Sequence, residues 1–131
     1  MLQVTDLCCG YGDMTVIRDI NFALEKGGTL ALVGSNGAGK TTLLMSVAGH
    51  ISPQSGQVQL HGVDLVNKEP EMRCGLGVGL VPEGRRIFPD LSVFENLIVG
   101  GYSRPSKNQS ESIARVFEVF PRLFDRKNQL A

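Results

Sequence analysis

Gly34-Ser35-Asn36-Gly37-Ala38-Gly39-Lys40-Thr41-Thr42 is the stretch on which the reading of this 131-residue chain turns. It satisfies G-x-x-x-x-G-K-[ST], with an apolar run (Thr29-Leu30-Ala31-Leu32-Val33) before it and a helix-like run (Leu43 to Ala48) after it. Each residue type has a physical role. Gly34, Gly37 and Gly39 carry no Cβ, so the backbone can adopt unusual angles and approach a phosphate closely. Consecutive N–H groups then converge on one concavity at the positive end of a helix. Lys40 brings a point charge to β- and γ-phosphates, and the Thr41 hydroxyl is a hard oxygen ligand for Mg²⁺. The plain alternative is a glycine-rich turn that happens to hold a lysine.

Outward from the loop, the chain is β-rich before it and helical after it. Leu2 to Leu7 alternates apolar and polar residues, the period of a half-buried strand. Gly10-Tyr11-Gly12-Asp13 reads as a turn. Thr15 to Leu24 alternates again, with Val16, Arg18, Ile20, Phe22 and Leu24 on one expected face as an antiparallel partner. Thr29 to Val33 is apolar without alternation, which predicts a parallel strand covered on both faces. The helix after the loop is expected over 41–48 with Gly49 as its stop. A short strand is expected at Gln57–Leu60 and a short helix at Pro70–Arg73. A glycine-thinned strand, Gly75 to Val81, follows. That strand runs through its glycines rather than ending before them, which excludes a dinucleotide-binding fingerprint.

The last third predicts helices. Ser92 and Glu95 have capping-box spacing at a helix start that ends at Gly100-Gly101. After a polar linker, Arg104 to Gln109, a second helix is expected from Ser110 to Phe120. Its apolar stripe is Ile113, Val116, Phe117 and Phe120, and Pro121 is its stop. His50 and His61 each sit beside a turn glycine and read as solvated loop residues.

Composition narrows the function classes. Thirteen Lys and Arg balance thirteen Asp and Glu, so no basic excess marks a nucleic-acid surface. Three cysteines, Cys8, Cys9 and Cys74, form neither a metal spacing nor a disulfide framework and read as reduced thiols in a cytosolic protein. No leader pattern precedes the first strand, and no apolar run reaches a membrane span, so membrane association is expected through partners.

With these residues in view, the chain resembles the N-terminal half of an ATP-binding-cassette (ABC) ATPase, an α/β P-loop NTPase fold. That fold joins an antiparallel β subdomain and a parallel sheet to a helical subdomain. The loop in the form G-S-N-G-A-G-K-T-T carries the likeness. So do Val81-Pro82-Glu83-Gly84-Arg85-Arg86-Ile87-Phe88-Pro89, Val93-Phe94-Glu95-Asn96-Leu97 and Phe120-Pro121-Arg122-Leu123, which are similar to the second ATPase subunit of branched-chain amino acid importers. Importers of urea and short amides share much of this pattern.

The resemblance implies residues 1–87 as the start of the ATPase core and 88–131 as the start of the helical subdomain. It implies ATP and Mg²⁺ as cofactors, with Tyr11 stacking on adenine and 34–42 holding the phosphates. Thr41 and Glu83 are the implied metal ligands. The superfamily usually has Gln at the position of Glu83; a carboxylate there would act through Mg²⁺, because without the metal it would repel the γ-phosphate. Arg85, Arg86, Ile87 and Phe88 would meet the transmembrane permease subunits.

A second ATPase subunit in a head-to-tail dimer is implied as well, with a solute-binding protein acting indirectly and no nucleic acid. The location would be the inner face of the plasma membrane. The family's signature loop, Walker B acids and switch histidine have no counterpart in these residues, so no catalytic residue is assigned and the chain alone is expected to be inactive and marginally folded. The competing expectations are a non-hydrolytic nucleotide-binding module and, less favoured by the antiparallel start, a small-molecule kinase.

Overall fold

The computed structural model describes residues 1–103 and 106–131, with the backbone alone at 106 and 107. It divides into two compact units, Met1–Leu80 and Val81–Ala131. The reading of the sequence placed the corresponding boundary after Ile87.

In the first unit, strands β1 (Leu2–Tyr11), β2 (Met14–Leu24), β3 (Ser55–Leu60) and β4 (Val63–Asp64) form one antiparallel sheet in the order β2-β1-β3-β4. The expected turn is shorter than 10–13: β1 runs on through Tyr11, which pairs with Met14, leaving Gly12 and Asp13 as a two-residue loop. Gly12 takes φ 55°, the positive value a II′ turn requires at its first position.

The expected face of β2 is corrected by bulges. Between Val4↔Phe22 and Leu7↔Ile20, β1 carries an extra residue; between Leu7↔Ile20 and Cys9↔Ile17, β2 does. Asp6 (φ 47°) and Asp19 (φ 50°) lie in these stretches, consistent with short polar side chains tolerating the left-handed region. Below Asp19 the alternation shifts by one, so Ile17 is buried and Arg18 is exposed. The energetics favour this outcome: burying isoleucine gains ~1.5–3 kcal/mol, whereas an unpaired buried guanidinium costs several.

Helix α1 (Lys40–Ala48) packs on the sheet and stops at Gly49, whose φ is 93°. Val4, Leu7, Cys9, Ile17, Leu43, Val58 and Leu65 make the core, with Leu32, Val47 and Val78 against it. The two strands expected at Thr29–Val33 and Gly75–Val81 are not formed. Helix α2 (Pro70–Gly75), longer than predicted, takes the first residue of the latter, and the rest has no ladder partner among the described residues. Leu32 and Val78 still turn inward, while Val33 and Val81 are each 93 % exposed. Apolar composition alone does not make a strand; a neighbouring backbone must take up its N–H and C=O groups.

The second unit is helical: α3 (Val93–Gly100), α4 (Ser106–Val119) and α5 (Pro121–Asp125). Helix α4 starts at Ser106 rather than Ser110, because its first turn is polar and shows no apolar period. Of the expected linker, Arg104 and Pro105 lie outside the described residues. Pro121 both ends α4 and occupies the first turn of α5. Ile113, Val116 and Phe117 are half-buried, whereas Phe120 is 57 % exposed, so the apolar stripe is one residue shorter than predicted. Phe117 meets Phe124 edge-on at 5.4 Å, and the Lys127 ammonium lies 4.2 Å from the Phe124 ring centre.

Candidate phosphate-binding site

The glycine-rich loop projects from the first unit, with residues 34–38 exposed. Its end is anchored. Gly39 has φ 88° and lies against β2, where a Cβ would meet Ile17 Cγ2 and approach Val16 Cγ1 to 3.3 Å. The Lys40 ammonium donates to Gly34 O at 2.8 Å and Ser35 O at 2.7 Å, drawing the loop into a ring around its own cation. Ala38 N–H donates to Ser35 O at 3.2 Å and tightens the tip. Thr41 is exposed on the first turn of α1; Thr42 is buried, 6 % exposed.

The starts of α1 and α3 differ in a way that bears on ligand binding. At α3 the early N–H groups are occupied: Val93 donates to Gln129 O, Phe94 to Lys127 O, both at 2.9 Å, and Glu95 to Ser92 Oγ at 3.2 Å. At α1 no side chain caps the N-terminus and no acid lies in the first turn. Open N–H groups, the positive end of the helix dipole and Lys40 therefore share one exposed place. That combination suits a polyanion.

Tyr11 is 59 % exposed at the end of β1. Its cross-strand partner Met14 stands three residues from Ile17, about 10 Å along a strand at ~3.3 Å per residue. Tyr11 and the loop are thus both set against the first four residues of β2. In the second unit Glu83 is exposed and followed by three residues of positive φ: Gly84 (79°), Arg85 (62°) and Arg86 (41°). Ile87 and Phe88 are about half exposed, at 49 % and 53 %. The Asn96 side chain holds the Phe88 backbone from both sides, accepting from its N–H at 2.9 Å and donating to its carbonyl at 3.0 Å.

Three supporting residues escaped the reading of the sequence. Arg73, 1 % exposed, donates to the carbonyls of Ser46 (2.7 Å) and Val47 (2.9 Å) near the end of α1, and to Lys68 (2.8 Å) and Val66 (3.2 Å). Burial pulls its pKa down, opposed by the fields of Asp64 and Glu69. Cys9 Sγ lies 2.8 Å from Ser46 Oγ, tying α1 to β1, and burial pushes that thiol's pKa up. Gln54 bonds to the β1–β2 hairpin through backbone and side chain. No pattern marks these residues in advance, since each depends on partners brought together only by folding.

Residues 17–130 match the family described as ABC transporter. Over all 131 residues the chain is 36 % identical to the high-affinity branched-chain amino acid transport ATP-binding protein BraG of Pseudomonas aeruginosa, covering 56 % of it. It is 42 % identical over 84 residues to the molybdate/tungstate import ATP-binding protein WtpC of Thermococcus kodakarensis, which takes in 64 % of this chain and 24 % of that protein. A solved ATP-binding subunit of an ABC transporter superposes with a TM-score of 0.84 at 26 % identity, covering 99 % of this chain and 54 % of that one. The chain thus spans about half the length of the relatives that cover it most fully.

Proposed function

The chain belongs to the ABC transporter family, and on that premise we propose that it is the ATP-binding part of an importer ATPase subunit. The observation that carries the reading is the uncapped start of α1, with Lys40 held at the mouth of the 34–42 loop. The first-turn N–H groups and Lys40 hold β- and γ-phosphates, and Tyr11 offers its ring to the adenine.

The described residues contain no cluster of three His, Cys, Asp or Glu side chains able to hold a metal by themselves. Mg²⁺ is taken to arrive with the nucleotide, with the Thr41 hydroxyl as its protein ligand; Glu83 is assigned to Mg²⁺ from the family resemblance alone. Mg²⁺ in such a site neutralises phosphate charge. Hydrolysis is assigned to the whole cassette; to the described residues we assign the phosphate cradle and no catalytic role.

The solute is read as a branched-chain amino acid from the Val81–Pro89 stretch and from the full-chain likeness to BraG. Arg85, Arg86, Ile87 and Phe88 are assigned to the permease contact, and a second ATPase subunit is the expected partner. Among the described residues no helix is long and apolar enough to cross a membrane, in keeping with attachment through partners at the inner membrane face.

Equilibrium binding of ATP, ADP and AMP to the chain, with and without Mg²⁺, tests the site. ATP and ADP should bind well above AMP, with ATP strengthened by Mg²⁺. Equal affinity for all three would remove the phosphate cradle from the argument.

A further inference from the structure

The hairpin that carries Tyr11 is braced at its tip from the segment that follows helix α1. Gln54 follows α1 and its Gly49 stop and precedes β3. Its backbone N–H donates to Cys8 O at 2.8 Å. Its side-chain carbonyl accepts from Thr15 Oγ1 at 2.8 Å, and its side-chain amide donates to Gly12 O at 3.0 Å. The amide orientation follows from chemistry: Gly12 O can only accept, so the NH₂ group must face it, and the Thr15 hydroxyl then donates to the other end. One side chain thereby joins both arms of the two-residue loop immediately beyond Tyr11.

The other side of Tyr11 is pinched. Gly10 is buried, with no room for a Cβ against the backbone of Met14 and Thr15. Tyr11 itself makes its place by backbone pairing with Met14 and leaves its ring exposed.

We propose that Gln54 is a positioning residue for nucleotide binding: it fixes the Tyr11 platform, and so the base, relative to the phosphates. This rests on Tyr11 receiving the adenine. The same helix then governs both ends of the ligand, its N-terminus the phosphates and the segment after its C-terminus the base. Without the brace the hairpin tip, flanked by glycines, samples more orientations, and base affinity falls while phosphate affinity does not.

The test compares affinities for ATP and for inorganic tripolyphosphate in the wild type, Tyr11→Ala, Gln54→Ala and Gln54→Glu. A stacking base is lost in Tyr11→Ala, which should weaken ATP about fivefold or more and leave tripolyphosphate unchanged. Gln54→Ala should weaken ATP by about three- to tenfold, again without changing tripolyphosphate. Gln54→Glu keeps an acceptor for Thr15, places a carboxylate against Gly12 O and should match Gln54→Ala rather than wild type. The double variant Tyr11→Ala/Gln54→Ala should be no weaker than Tyr11→Ala.

Loss of ATP and tripolyphosphate together in Gln54→Ala would make the residue a general structural support and overturn the proposal. Tyr11→Ala weakening ATP while Gln54→Ala does not would overturn the proposal and leave the Tyr11 reading standing. An unchanged Tyr11→Ala would remove that reading and the proposal with it.

Discussion

Gly39 and Ile17 touch with no space for another carbon between them: the turn that begins α1 rests directly on β2. The contact ties the antiparallel hairpin to the glycine-rich loop that follows it. The hairpin is the wall against which the loop is set, and the bulge at Asp19 is what turns Ile17, instead of Arg18, toward the loop.

Gly39→Ala should therefore damage the loop on two counts. A Cβ would collide with Ile17 Cγ2, and φ 88° is a strained conformation for any L side chain. Overpacking and backbone strain are each on the order of 1–3 kcal/mol. Gly37→Ala also places a side chain at positive φ (83°), but in open space, so it should bear only the strain. Thermal melts should rank wild type above Gly37→Ala and Gly37→Ala above Gly39→Ala. The reverse order would deny that the wall matters.

Arg73 is a cation held by carbonyls alone in the bonds that bury it. Arg73→Met removes all four of these donor contacts, although Ser46 O still accepts from Gly49 N–H, and the cost should be about 1–3 kcal/mol, the range for a buried acceptor left unsatisfied. Arg73→Lys keeps the charge but cannot span acceptors on α1 and on the 66–68 turn together, so it should recover less than half of the loss. Gly49→Ala should resemble a partial Arg73 loss, since its Cβ would lie 2.8 Å from Arg73 Nε. Denaturant unfolding checks the series, and a stable Arg73→Met variant would contradict it.

The capping box at Ser92 and Glu95 gives the second unit a pH dependence. The Glu95 carboxylate accepts from Ser92 N–H at 2.8 Å and Ser92 Oγ at 2.7 Å, and these bonds, the hydroxyl's first, hold its pKa below the usual glutamate value. A carboxyl that gives up its proton more readily when folded stabilises the fold fully above its unfolded value, ~4.3, and loses that contribution as pH falls through the lower folded value. Ser92→Ala should cost about 1 kcal/mol at neutral pH and flatten the acid limb of the helical signal. Circular dichroism of wild type and variant between pH 6 and pH 2, a window on the order of that titration, makes the comparison; parallel acid limbs would exclude Glu95 as the titrating group.

Legibility followed how local each cause was. The loop, the Gly49 stop, the Ser92 cap and Pro70 at the start of α2 are decided within a few residues, and each was readable from type and spacing. Strand length, the bulges and the exposure of Arg18 depend on register across the sheet, which alternation along one strand does not carry. The apolar runs at Thr29–Val33 and Gly75–Val81 read as strands because buried parallel strands have that composition. What decides a strand is a neighbouring backbone, and the described residues bring none to either run. Arg73 and Gln54 were invisible for a related reason: their side chains donate to backbone carbonyls, which every sequence has.

Lys40 offers a way to separate folding from ligand binding. Among the described residues its ammonium bonds to the exposed loop carbonyls of Gly34 and Ser35, both of which water can reach once the side chain is removed. Exposed acceptors that regain water cost little, so Lys40→Met should shift the melting curve by no more than about 0.5–1 kcal/mol. For a bound triphosphate the balance is different. The cation would exchange carbonyl contacts for phosphate oxygens, and charge-assisted bonds of that kind are worth roughly twice a neutral one. Affinity for ATP should fall at least ~30-fold, the equivalent of about 2 kcal/mol at 25 °C. Affinity should also become less sensitive to salt in the variant, because one screened charge has gone. Calorimetric titration at two ionic strengths, beside a melt of the same sample, reads both effects. A Lys40→Met chain that unfolds early and still binds ATP would reverse the assignment, making Lys40 a tie for the loop instead of a hand for the phosphate.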